Sequence, residues 1–211
     1  MLELGAGTGR LTAAFAARGH RITGVDISPA MLAQAQRRLA TLPAEVRERI
    51  TFVRGDMTAL DLKRTFDFVF LPFFTLAHVP AGTAWKNTFA VVSKHLGAGG
   101  LGACHLPRLD VMQRPAPANK HLPVMDHPMP DGRRLLLFVK ERTFREGINR
   151  LDQVLEYAIA EPGGRIIQRS PERLTYYMTD PVPPAAAAGL ALDREPINLG
   201  DVGDVWVFRK G

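Results

Sequence analysis

The first half of this 211-residue chain alternates short apolar runs with amphipathic helical patterns. The apolar runs, which predict β-strands, cover residues 2–4, 21–26, 50–54, 66–71 and 100–106. The helical patterns between them cover residues 8–18, 28–42 and 83–96. Alternation of this kind predicts a parallel sheet joined by right-handed crossovers and covered by helices on both faces, which is an α/β fold.

The predicted helix over residues 28–42 carries two further signals. It begins with Ser28 and Pro29, an N-cap residue followed by proline at the first helical position. Met31, Ala35 and Leu39 then recur at fourfold spacing, and we expect them to form a buried stripe.

The second half of the chain has a different pattern. Six prolines between residues 107 and 132 predict an irregular surface connection. Residues 133–144, 150–160 and 165–177 are three extended segments separated by glycine turns, which predicts an antiparallel meander. A short helix after Pro181 and closing strands at 190–196 and 205–208 are expected to return to the first sheet. We therefore divide the chain into a core of residues 1–106 and 178–211 and an insert of residues 107–177.

Composition and charge limit the classes of function. The net charge is +6 and the isoelectric point is near 9.9, but no run of five or more basic residues marks a nucleic-acid site. A solvated basic surface is the simpler interpretation, and a nucleic-acid partner is the weaker alternative. No apolar run is long enough for a membrane helix. The single cysteine and the absence of a signal-peptide pattern predict a cytoplasmic protein, and a homodimer is one assembly compatible with the sequence.

A glycine-rich turn, Gly5-Ala6-Gly7-Thr8-Gly9, links the first strand to the first helix. Glycines at such a turn let the backbone approach a ligand closely. Asp26 ends the second strand and can accept hydrogen bonds from both hydroxyls of an adenosine ribose. A nicotinamide-dinucleotide site has the same elements, but its fingerprint needs a glycine or alanine where this chain has Arg10. A plain tight turn is the remaining alternative.

A second carboxylate, Asp56, follows the third strand. A carboxylate at this place can accept a hydrogen bond from the adenine amino group, and Met31 and Met57 can flank the ring. Taken alone, Asp56 would fit a turn or a helix cap. Its occurrence in register with Glu3, Gly5 and Asp26 favours an adenosine-binding site.

These motifs, in this order, resemble those of the class I S-adenosylmethionine-dependent methyltransferases over residues 1–106. Glu3-Leu4-Gly5-Ala6-Gly7-Thr8-Gly9 is similar to their first motif, Val25-Asp26-Ile27-Ser28-Pro29 to their second-strand motif, and Gly55-Asp56-Met57 to their adenine-site motif. The resemblance implies a Rossmann-like fold and S-adenosylmethionine as the cofactor. It also implies cofactor contacts by Glu3, Gly5, Ala6, Gly7, Asp26, Ile27, Met31, Asp56, Met57 and Leu71.

On the acceptor side, the antiparallel insert is similar to that of amino-sugar and glycine N-methyltransferases. The resemblance implies transfer to an oxygen or nitrogen of a small molecule. Phe73, Phe74 and His78 follow the fourth strand, where the donor methyl is expected to point. His78 is a candidate general base or acceptor-positioning residue, although a packing role is the simpler interpretation of this histidine, as it is of both phenylalanines. Leu71 lacks the side-chain oxygen with which enzymes that methylate DNA adenine bind the target amine.

Two alternatives remain open from the sequence. The basic first half is compatible with an RNA methyltransferase. The family has helices before the first strand, whereas this strand begins at Met1, so a truncated chain or a pseudo-enzyme that only binds the cofactor is also compatible. His105, His121 and His127 lack metal-ligand spacing, and we expect no metal.

Overall fold

The computed structural model describes residues 1–211, which fall into two compact units. The first unit comprises Met1–Pro107 and Thr179–Gly211, and the second comprises Arg108–Met178. An eight-stranded sheet forms the centre of the first unit, and a four-stranded sheet forms the second.

The strands, numbered in chain order, are β1 Leu2–Leu4, β2 Ile22–Asp26, β3 Ile50–Arg54, β4 Phe66–Leu71, β5 Leu96–Leu106, β6 Met125–Pro128, β7 Arg134–Arg145, β8 Arg150–Ala160, β9 Ile166–Tyr177, β10 Leu190–Leu192, β11 Ile197–Asn198 and β12 Asp204–Lys210. The helices are α1 Arg10–Ala17, α2 Pro29–Ala40, α3 Ala44–Arg47, α4 Thr83–His95, α5 Leu109–Met112 and α6 Val182–Ala187, with one-turn 3₁₀ helices at Thr75–His78, Glu146–Ile148 and Gly200–Val202. No helix combines the length and the apolar character that a bilayer crossing requires.

The large sheet has the order β10-β12-β5-β4-β1-β2-β3, with β11 paired to β12. The five strands from β5 to β3 are parallel, β12 runs antiparallel to β5, and β10 and β11 each pair antiparallel with β12. The predicted α/β fold with antiparallel closing strands is therefore confirmed. Strand β1 lies in the middle of the sheet, is fully buried and pairs with β2 on one side and β4 on the other. The turn that follows β1 therefore begins from a strand that is fixed on both sides.

Helix α2 begins as its sequence predicts, with the Ser28 hydroxyl accepting a hydrogen bond from the backbone N–H of Met31 at 3.3 Å. The predicted buried stripe on this helix is only partly right. Ala35 is buried and Leu39 is half-buried, but Met31 is 42% exposed. The reason is that Met31, in the first turn, lines an open cleft rather than the core.

The second unit is the predicted antiparallel meander, with the order β6-β7-β8-β9. The prediction that residues 107–132 are wholly irregular is wrong, because this segment contains α5 and β6. Strand β6 pairs with the start of β7 across a tight turn at residues 129–133. Its proline, Pro128, is tolerated because β6 is an edge strand and needs backbone hydrogen bonds on one side only.

Two predicted boundaries also move. Strand β5 begins at Leu96 rather than Gly100, since Leu96 pairs with Phe66 before an irregularity in the register. The predicted strand over residues 190–196 ends at Leu192, where Asp193 forms ion pairs with Arg194 and Arg209. Pairing to β12 resumes only at Ile197, after Pro196.

Candidate active site

The turn after β1 depends on glycine at Gly5. Its φ is +77°, and a Cβ atom built there would lie 2.2 Å from Cγ2 of Thr75, so no larger residue fits. Gly7 also has positive φ, +55°, but a Cβ atom there would meet nothing within 4 Å. Gly5 is thus closed in by protein, and Gly7 borders open space that a ligand can occupy.

Asp26, at the end of β2, is tied to this turn. Its Oδ2 accepts a hydrogen bond from the backbone N–H of Gly7 at 2.7 Å, and its Oδ1 accepts one from Ser28 at 2.8 Å. The side chain is half-buried and lines the cleft. Each carboxylate oxygen has a second acceptor position, so Asp26 retains capacity for the hydroxyls of a ribose.

Asp56 occupies the equivalent place after β3. Its Oδ1 accepts hydrogen bonds from both the backbone N–H and the hydroxyl of Thr58, each at 2.8 Å. This Asx-type arrangement fixes the loop and the side chain together. The carboxylate is exposed toward the cleft, and Met57 lies beside it.

These loops and the segment after β4 enclose one cleft of about 570 Å³ at the carboxyl ends of β1 to β4. Open α/β sheets bind their ligands at this edge. The cleft is lined by Gly5, Gly7, Val25, Asp26, Ile27, Met31, Gly55, Asp56, Met57, Thr58, Phe73, Thr75, His78, Val79, Pro80 and Ala84.

Glu3 lies on β1 beneath the turn and is 2% exposed. Burial raises the pKa of its carboxyl to about 7, against the opposing effect of a hydrogen bond donated by the Thr12 hydroxyl. Glu3 borders a smaller cavity of about 230 Å³ that shares Gly5, Gly7, Phe73 and Thr75 with the cleft.

The segment after β4 makes a strained turn. Phe73 and Phe74 have φ values of +50° and +63°, in the left-handed region, which costs about 1–2 kcal/mol for a residue other than glycine. The turn leaves the Phe73 side chain in the cleft and places Thr75 against Gly5. His78 ends the following 3₁₀ helix, is exposed and also lines the cleft.

The structure brings most of the predicted site residues together. Nine line the cleft: Gly5, Gly7, Asp26, Ile27, Met31, Asp56, Met57, Phe73 and His78. Glu3 and Ala6 line the adjoining small cavity. Leu71 and Phe74 line neither, because the Leu71 side chain is buried in the sheet and the Phe74 ring packs on His105 at a centroid distance of 4.6 Å.

Sequence reasoning missed several lining residues. Three of them, Val79, Pro80 and Ala84, follow the 3₁₀ helix. No local sequence pattern predicts that they line the same cleft as the loops after β2 and β3. Thr75 was missed because its contact with Gly5 depends on the left-handed turn before it. No group of three or more His, Cys, Asp or Glu side chains is placed to hold a metal ion.

Comparisons with known proteins show which family profile and which fold this chain resembles. The sequence profile of the family described as "Methyltransferase domain" matches residues 1–100. No curated protein sequence matches the chain. Among solved structures, DesVI from Streptomyces venezuelae is 22% identical with a TM-score of 0.75, covering 100% of this chain and 83% of its own.

Two further solved structures share the fold. An S-adenosylmethionine-dependent methyltransferase from Clostridium acetobutylicum is 16% identical with a TM-score of 0.76, covering 100% of this chain and 83% of its own. CalS10, an amino pentose methyltransferase from Micromonospora echinaspora, is 24% identical with a TM-score of 0.71, covering 100% of this chain and 82% of its own. Residues 1–100 therefore match a methyltransferase domain, and the chain shares its fold with solved S-adenosylmethionine-dependent methyltransferases.

Proposed function

We propose that this chain transfers the methyl group of S-adenosylmethionine to an oxygen or nitrogen of a small-molecule acceptor. The observation that carries the proposal is the single cleft in which the open Gly7 backbone and the carboxylates of Asp26 and Asp56 come together. The cofactor, when bound, supplies an activated methyl group on its sulfonium sulfur. The chain's own residues are then needed mainly to hold and orient the two reactants.

The residues present fit this cofactor. Gly5, Ala6 and Gly7 would bring the backbone close to it, and Asp26 would bind the ribose hydroxyls. Asp56 would accept from the adenine amino group, while Ile27, Met31 and Met57 would cover the ring. Ile27 is 59% exposed and Met31 42% exposed, and both line the cleft, so a flat apolar ligand bound there would cover them. Leu71 would support this surface from within the sheet.

Glu3 has no cationic partner in the protein, and its burial makes an unpaired negative charge costly. The methionine part of the cofactor carries an ammonium group, and the sulfonium adds a second positive charge. We therefore propose that the ammonium and sulfonium charges of the bound cofactor offset the negative charge of the Glu3 carboxylate.

The acceptor would lie beside Phe73 and His78, which line the cleft, while the Phe74 ring packs on His105. His78 lines the cleft and is exposed, so a proton that it takes from an acceptor hydroxyl or ammonium can pass to water. We propose that it acts as a general base or positions the acceptor. Phe73 presents an exposed ring, and Phe74 supports the turn from beneath.

The names of the similar structures support a small acceptor. CalS10 is called an amino pentose methyltransferase, and MtfA, which has a TM-score of 0.64, is called a glycopeptide N-methyltransferase. We propose an acceptor of the same general kind, a molecule with an amine or hydroxyl on a sugar-sized framework.

A cytoplasmic location is part of this proposal, supported by the buried, unpaired thiol of Cys104. A homodimer remains a prediction that sedimentation tests.

The test combines binding and turnover. Calorimetry with S-adenosylhomocysteine should show one site per chain. Incubation with methyl-labelled S-adenosylmethionine and a panel of amino sugars, amino acids and hydroxylated small molecules should label at least one acceptor, and His78→Gln should lower kcat more than it changes cofactor affinity. Binding of nicotinamide dinucleotide instead of S-adenosylhomocysteine, or labelling of RNA with no small molecule labelled, would contradict the proposal.

A further inference from the structure

The small cavity beside the cleft contains one acid and one base. Glu3 borders it on the buried side, and Arg10, the first residue of α1, borders it on the exposed side. Gly5, Gly7, Phe73 and Thr75 line both this cavity and the cleft, so the two adjoin. A ligand that reaches past these residues from the cleft would place a short polar end between Glu3 and Arg10.

Arg10 is held by an aromatic ring rather than by a carboxylate. Its Cζ lies 4.7 Å from the centroid of the Phe73 ring, and it forms no ion pair. Several other arginines of this chain are paired with carboxylates; Arg209, for example, binds Asp193 at 2.6 Å. A guanidinium that contacts a ring keeps its N–H donors available for a planar anion such as a carboxylate.

The position of the Phe73 ring depends on its strained backbone. Phe73 has φ +50° and its side chain is 53% exposed, so neither backbone preference nor burial explains its conformation. Strain of this kind, found at a binding cleft, is a reason to look for a function. In this conformation the Phe73 ring contacts the Arg10 guanidinium and meets the His105 ring edge to face at a centroid distance of 6.4 Å.

We propose that Arg10 binds the carboxylate of the methionine part of the cofactor, with Phe73 as the residue that positions it. The assignment rests on the proposed function, since it names a contact to the same cofactor. An α-amino acid carries one positive and one negative group on the same carbon. A cavity with Glu3 on one side and Arg10 on the other matches that pair of charges.

The test uses two ligands that differ only in the carboxylate: S-adenosylhomocysteine and its decarboxylated form, which keeps the amine. Arg10→Met keeps an unbranched side chain and removes the charged guanidinium. It should lower affinity for S-adenosylhomocysteine about tenfold or more and affinity for the decarboxylated ligand less than twofold. Arg37→Met, on the exposed face of α2, is the matched control for net charge and should change neither affinity.

The role of Phe73 is tested by rescue. Phe73→Leu removes the ring and should lower affinity for S-adenosylhomocysteine selectively, as Arg10→Met does but to a smaller extent. Phe73→Tyr keeps the ring and should restore the affinity. In the double variant with Arg10→Met, the Phe73→Leu change should have no further effect on this selectivity, because Phe73 acts through Arg10.

Three results would overturn the assignment. Equal losses for both ligands would show that Arg10 acts on the nucleoside part or on the fold. No loss for either ligand would show that Arg10 does not contact the cofactor. A wild-type protein that binds neither ligand would refute the proposed function itself, and this assignment with it, whereas normal binding with an unselective Arg10 variant refutes the assignment alone.

Discussion

The Oδ2 atom of Asp26 accepts a hydrogen bond of 2.7 Å from the backbone N–H of Gly7. One carboxylate at the end of β2 thereby fixes the backbone of the glycine-rich turn after the neighbouring strand, β1. The same side chain borders the cleft, so it both fixes the turn and remains available to a ligand in the cleft. Binding experiments on Asp26 must separate these two roles.

Asp26→Asn and Asp26→Ala should therefore differ. The asparagine oxygen can still accept from Gly7 or Ser28, but its NH2 group faces the other N–H, so this variant keeps one of the two backbone hydrogen bonds. Alanine removes both. We expect affinity for S-adenosylhomocysteine to fall about tenfold or more in each variant, from the loss of about 1.5–3 kcal/mol, and the melting temperature to fall further in Asp26→Ala than in Asp26→Asn.

Calorimetry and thermal melting of the two variants check this. Asp67→Asn, in β4, serves as a control for charge removal outside the cleft. Unchanged affinity in a folded Asp26→Ala protein would remove the ribose assignment.

Most of the strands, their order along the chain and the two cleft carboxylates could be predicted from sequence because each depends on a local pattern. Asp26 and Asp56 follow strands, and parallel strands place such residues at one edge of the sheet. The turn at Phe73 could not be predicted, since aromatic residues do not favour the left-handed region and nothing in the local sequence marks the exception.

Two other failures have the same physical origin, in contacts between distant segments. The fourfold spacing of Met31 is the same for a residue facing the core and for one facing a cleft, so periodicity alone could not separate these outcomes. Strand β6 lies in a segment rich in proline, and only its pairing with the start of β7 makes it a strand. The sequence pattern of one segment does not identify the other segment whose contacts stabilise its structure.

Glycine substitutions should show which of the two turn residues is enclosed. Gly5→Ala places a methyl group 2.2 Å from Cγ2 of Thr75 and also strains the backbone, so it should destabilise the protein by more than about 2 kcal/mol. Gly7→Ala meets no atom and should cost only the backbone term, about 1–2 kcal/mol. Urea unfolding measures both.

A double variant separates the clash from the strain. Thr75→Ser removes the Cγ2 methyl group, so Gly5→Ala should cost less in that background than in the wild type, while the cost of Gly7→Ala should not change. Equal costs for Gly5→Ala in both backgrounds would contradict the close approach of Thr75.

His95 should contribute to stability through both ring nitrogens. It is 1% exposed; Nε2 accepts from the backbone N–H of Leu62 at 3.0 Å, so Nδ1 carries the proton that is donated to the Val91 carbonyl at 2.8 Å. His95→Phe keeps the ring but leaves the Leu62 N–H without a partner, which should destabilise the protein by about 1–3 kcal/mol. His20→Phe, at an exposed position, should change the stability by less than about 0.5 kcal/mol.

The last prediction concerns Glu3 and pH. Because burial raises the pKa of its carboxyl from 4.5 to about 7 in the folded protein, the folded state holds the proton more tightly than the unfolded state does. The stability that this proton provides is complete below about pH 4.5 and is lost as the pH rises through 7. The full difference corresponds to about 3 kcal/mol.

Glu3→Gln cannot ionise, so its stability should rise relative to the wild type between pH 5 and pH 8, by up to that amount. Urea unfolding of both proteins at pH 5, 6, 7 and 8 measures the change, with the exposed Glu45→Gln as control. Binding of S-adenosylmethionine should stabilise the ionised carboxylate and so release a proton, which calorimetry near pH 7 in buffers of different ionisation enthalpy detects. A stability difference between wild type and Glu3→Gln that does not vary with pH would show that Glu3 is ionised in both states.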